Sequence, residues 1–138
     1  MESEFMEIIA AYVSTIHALG VLGAVMLCQL LLADIIGMRR GHVPGALAPA
    51  DHDDLLFRAS RSAANTNVSM AIFIVAVGFC VASGASPTAT AYAAWGFVGA
   101  RVLYAVCYYA NLKLPRSAVF AFSLVAIAAL LIIGFTAH

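Results

Sequence analysis

The costliest residue in this chain is Arg101. It stands in an apolar run, RVLYAVCYYANLKLPRS at 101–117, with Tyr104 and Tyr108 three and seven residues on and a short basic stretch of Pro115, Arg116 and Ser117 at the end. A guanidinium at bilayer depth costs roughly 2.5–3.5 kcal/mol on insertion scales, so it must find partners inside the protein. Earlier in the chain, Arg58, Arg61 and Asn65 follow i, i+3, i+7 spacing and so share one helix face. These residue types suit a small anionic ligand. Guanidinium groups bind carboxylates through two parallel bonds, a helix N-terminus offers free N–H donors, and tyrosine adds a hydroxyl on an apolar ring. They equally suit a thiol, because a cation, a hydroxyl and a helix N-terminus together lower its pKa from about 8.5 and give a nucleophilic thiolate near neutral pH.

Each of these residues has a structural alternative. Arginines at the cytoplasmic ends of membrane helices anchor to headgroups, which is the simpler reading for Arg39, Arg40 and Lys113, and tyrosines form interfacial belts. Arg101 lies about 15 Å of helix from the nearest loop, too far for that role. Its alternative is a structural ion pair, for which Asp34 is a candidate, or hydrogen bonds to helix backbones. His17 is expected in an interhelical hydrogen bond, and Tyr92 and Trp95 in a belt.

The elements that hold these residues follow from composition. The chain has 138 residues, 64% of them apolar and 10% charged, with mean hydropathy +0.98. So much apolar surface needs lipid as its solvent. Seven basic residues balance seven acidic ones, and no stretch reads as a nucleic-acid surface. Cys28, Cys80 and Cys107 are far apart in apolar runs, which fits neither a disulfide framework nor metal ligation, and they read as buried thiols. The acidic start, MESEFME, is unlike a cleavable signal.

One four-helix transmembrane domain is expected over 1–138, with helices at about 8–36, 55–83, 91–111 and 116–135. The loop from Met38 to Asp54 contains Arg39, Arg40, Gly41, Pro44, Gly45 and Pro49, and GASPTAT at 84–90 is an uncharged turn. Pro115 suits the first turn of the last helix. The positive-inside rule puts both basic loops in the cytoplasm and both termini outside.

RSAANTNV at 61–68 and RVLYAVCYYANLKLPRS at 101–117, on four such helices with a basic first loop, resemble the MAPEG superfamily, the membrane-associated proteins in eicosanoid and glutathione metabolism. Its members include microsomal glutathione transferases, microsomal prostaglandin E synthase and leukotriene C synthase. The resemblance covers nearly the whole chain. It implies an all-α homotrimer with glutathione bound between neighbours near the cytoplasmic face and a lipophilic substrate arriving from the bilayer. By the same resemblance Arg61, Asn65, Arg101 and Tyr108 bind glutathione, Arg116 and Ser117 act at its thiol, Arg39 or Arg40 adds a basic contact, and Arg58 belongs to the same basic face. The family's helix-two motif continues to a glutamate for the glutathione ammonium, where this chain has Val68. Where several members have a tyrosine on helix four, it has Phe120.

The expected function is a glutathione-dependent transferase or peroxidase acting on lipophilic electrophiles. The alternative is a non-catalytic trimer that binds an anionic lipid or another small anion at the same pocket, which the loss of the motif glutamate favours. A transporter with Arg101 and His17 along one path ranks last, since no inverted repeat or broken helix is evident. Small size and alanine-rich composition point to a bacterial inner membrane.

Overall fold

A computed structural model describes residues 2–43 and 45–137; Pro44, one of the loop-forming residues, lies outside them. Five helices follow in order: α1 (Glu2–Ala11), α2 (Val13–Arg39), α3 (Leu55–Ala82), α4 (Pro87–Tyr109) and α5 (Lys113–Phe135). No strand occurs among the described residues. By length and composition α2, α3 and α5 can cross a membrane, and the 23 residues of α4 pack among them.

The expected first helix is two. The chain breaks at Tyr12, whose hydroxyl donates to the carbonyl of Ala85 and, at 3.3 Å, to that of Cys80. Backbone bonds from Tyr12 N–H to Ile8 O and from Ile16 N–H to Tyr12 O still cross this point, so α1 meets α2 at a local distortion, and α2 continues past the expected end to Arg39. The third helix starts four residues early. Ser86 caps it, accepting from the Ala89 N–H at 3.4 Å, and Pro87 takes the first turn, where its missing N–H does no harm. The last helix likewise starts at Lys113, with Pro115 inside its first turn. Asp54 caps α3 by accepting from Leu56 N–H at 2.6 Å.

Both tight reversals use a left-handed residue. Gly84 ends α3 at φ 67° and Asn111 ends α4 at φ 56°, each followed by a backbone bond back into the last turn, Ala85 N–H to Cys80 and Leu112 N–H to Cys107. Short connections make neighbouring helices antiparallel. The C-terminal ends of α2 and α4 therefore share one face of the bundle with the starts of α3 and α5. Every basic residue except Arg101 is on this basic face, and the acidic α1 is at the other.

The core fills the space between α2, α3, α4 and α5. Phe73 and Phe97 stack at 4.2 Å, with Leu22, Val98 and Leu130 buried around them. Cys80 and Cys107 are buried as expected, but Cys28 is exposed on α2. His17 is exposed too, on the half of α2 away from Arg101, so the two do not line one path. Tyr92 is 76% exposed, and the Trp95 indole donates to Ser14 at 3.1 Å.

Candidate functional site

A cavity of about 280 Å³ opens at the basic face between α3, α4 and α5. Asn65, Tyr104, Tyr108, Arg116, Ser117 and Phe120 line it. The i, i+4 spacing of Tyr104 and Tyr108 puts both rings on one side of α4, where they meet edge to face at 5.1 Å. The Arg116 guanidinium lies over the Tyr108 ring at 4.5 Å, a contact that fixes the cation while leaving its N–H groups to point at a ligand. Asn65 donates to the Tyr104 hydroxyl at 2.8 Å and orients it beside Tyr108. No side chain caps α5; Pro115 has no N–H and the Arg116 N–H donates to Leu112 O at 3.2 Å, so side chains, not backbone donors, face the cavity from this helix. The Ser117 hydroxyl donates to Lys113 O at 3.3 Å and must turn from it to serve a ligand.

Arg101 is fully buried below this cavity. Its guanidinium lies 5.0 Å from the Tyr104 ring and 5.3 Å from those of Phe97 and Phe120, and it donates to Ser123 on α5. Asp34 is not its partner. That carboxylate lines a separate groove of about 470 Å³ between α2 and α3, with Leu31, Met38, Leu56 and Ser60. Three rings and one hydroxyl therefore replace the expected ion pair. Nε and Nη1 of Arg101 have no hydrogen-bond partner.

Of the residues singled out in the sequence, Asn65, Tyr108, Arg116 and Ser117 come together at the cavity and Arg101 supports its floor. The others are placed elsewhere in the single chain. Arg40 pairs with Asp54, and Arg58 donates to His52 O at 2.7 Å. Arg39 is exposed at the end of α2, and Arg61 on the outward face of α3. Val68, also outward, is 74% exposed. Tyr104, Phe120 and Ser123 join the site without having been chosen for it. Tyr104 was legible, being three residues from Arg101 and four from Tyr108. Ser123 carried no signal, because a serine in an apolar helix gives no sign of which neighbour it meets.

In comparison with known families, residues 5–136 match the MAPEG family. The chain belongs to the MAPEG family. No curated protein matches it. The match spans all the residues of the cavity and places the chain among membrane proteins of glutathione and eicosanoid metabolism, which act on lipophilic substrates and generally use glutathione. The lining fits that ligand in part. Arg116 and the tyrosine hydroxyls suit its carboxylates and thiolate, but among the described residues no carboxylate lines the cavity to meet its ammonium.

Proposed function

We propose that this MAPEG protein is a glutathione-dependent transferase or peroxidase acting on lipophilic electrophiles. It works as a homotrimer of four-span subunits in a bacterial inner membrane, with the basic face cytoplasmic and both termini outside. The observation that carries the reading is Arg116, stacked on Tyr108 beside Ser117 at the uncapped start of α5. A cation and the hydroxyls of Ser117, Tyr104 and Tyr108 line one small volume there, a set that favours a thiolate over a thiol. Bound glutathione supplies the thiol. Arg116 holds negative charge at the sulfur, and Ser117 donates to it once turned from Lys113. Tyr104, oriented by Asn65, donates to a ligand oxygen, and Arg101 adds positive potential from below. Arg39, Arg40, Arg58 and Arg61 give the cytoplasmic face its positive charge. The trimer is supported by an exposed stripe on α3, Arg61, Ala64, Val68, Ala71 and Val75, spaced three and four residues apart.

Calorimetry on the purified full-length protein tests the reading. Glutathione should bind, Arg116→Ala should weaken it about tenfold or more, the loss of one charge-assisted contact, and a chlorodinitrobenzene-type electrophile should be conjugated. No binding heat, or an affinity unmoved by Arg116→Ala, sinks it. One observation favours a second reading, a non-catalytic trimer that holds an anionic lipid or another small anion: the cavity is lined by one cation, Arg116, and three hydroxyls with no acid among the described residues. Co-purification of an anionic lipid without conjugation would decide for it.

A further inference from the structure

The cavity and the groove carry opposite charge and lie on opposite flanks of one exposed helix face. The cavity holds Arg116 and rests on Arg101, two of whose nitrogens are unpartnered. The groove holds Asp34 among apolar side chains, with no lysine or arginine in its lining. Both are at the basic face, the groove against Leu56 and Ser60 of α3 and the cavity against Asn65, five residues further in. Asp34 precedes the end of α2 at Arg39 by as many residues as Tyr104 precedes the end of α4 at Tyr109, about 7.5 Å of helix. Between them runs the exposed stripe of α3. At 100° per residue Leu56 and Ser60, which line the groove, fall to one side of Ala64 and Val68, and Asn65, which lines the cavity, falls to the other.

A stripe with that spacing packs against copies of itself. Copies arranged about a rotation axis meet head to tail, so the groove flank of one faces the cavity flank of the next. Asp34 is exposed in the single chain, and once a second copy covers it a carboxylate among apolar side chains is costly without a partner. We propose that Asp34 of a neighbouring copy closes the cavity and pairs with the ammonium of the ligand, the one group that the cavity's own lining leaves without a counter-charge. This rests on the glutathione reading above. The completed site selects amino-acid-like anions, which carry an ammonium beside a carboxylate, over the same anions with the amine acylated.

Calorimetry with glutathione and N-acetylglutathione on the full-length assembly tests this. Wild type should bind glutathione about tenfold or more tightly than the N-acetyl form, the scale of one charge-assisted contact. Asp34→Asn should erase that preference and leave N-acetylglutathione affinity unchanged. A mixed assembly then shows whether Asp34 acts on a neighbour. When Asp34→Asn and Arg116→Ala chains are co-expressed, about a quarter of the interfaces join an intact Asp34 to an intact Arg116, and tight sites should return to about that fraction. If Asp34 acts only within its own chain, mixing restores none, and the proposal falls. It falls too if Asp34→Asn leaves the preference intact or weakens both ligands equally, while tight glutathione binding by wild type keeps the broader reading alive. Absence of binding by either tripeptide to wild type overturns both.

Discussion

At the scale of single residues, Arg101 shows how a buried cation is held without an acid. Aromatic faces attract a desolvated guanidinium, by roughly 0.5–2 kcal/mol each, and Phe97, Tyr104 and Phe120 surround this one. Ser123 is its hydrogen-bond partner, and its own proton goes to Phe120 O at 2.7 Å. Ser123→Ala should therefore destabilise the fold by about 1.5–3 kcal/mol, the cost of a lost bond to a charged group. Thermal unfolding in detergent measures it, and a change below about 0.5 kcal/mol, the size of an ordinary surface substitution, would mean that the rings alone hold the cation. The sequence made Arg101 conspicuous, since its type contradicts its surroundings. It could not choose among partners, because Asp34 and Ser123 are both far from Arg101 along the chain and only packing decides which is near.

At the scale of elements, the helices were legible and several of their ends were not. Hydropathy located α2, α3 and α5 because a helix that crosses lipid must hold a long apolar run. Boundaries turned on single side chains. Ser86 and Pro87 start α4 before the hydropathy rises, and Tyr12 splits the first run although its neighbours are equally apolar. The split coincides with long-range bonds to Cys80 and Ala85, which no local pattern announces. The cavity was legible in part for the same reason. Asn65, Tyr108, Arg116 and Ser117 stand near helix ends at one face, whereas Arg40 and Arg58 stand there too and are taken by Asp54 and by His52 O. Tyr12→Phe should cost about 0.5–1.5 kcal/mol, the net worth of a buried hydrogen bond, and the loss should be local. Hydrogen exchange should quicken in α1 and the first turn of α2 and stay unchanged across Phe97 and Leu130. Faster exchange throughout would show that the Tyr12 contact supports the bundle as a whole.

At the scale of the molecule, one chain leaves its site open. α3 buries Phe73, Ala76 and Cys80 on one side and exposes Ala64, Val68, Ala71 and Val75 on the other. Lipid could cover that stripe, yet small side chains let helix backbones approach closely, and in a bilayer close packing is what drives association. The stripe also passes between Asn65 of the cavity and Ser60 of the groove, so whatever covers it lies against the mouth of the site. Assembly and ligand binding should thus fail together. In the proposed trimer Ala71→Leu adds bulk to the exposed stripe, six residues of helix from Asn65 of the cavity. The expected outcome is a shift from trimer toward monomer in native mass spectrometry, with helix content by circular dichroism unchanged and glutathione affinity lowered about tenfold or more, as for loss of a charge-assisted contact. A trimer that survives Ala71→Leu would move the interface off α3. A monomer that still binds glutathione at full affinity would show that Arg116, Tyr104 and Asn65 suffice, and that no neighbour takes part.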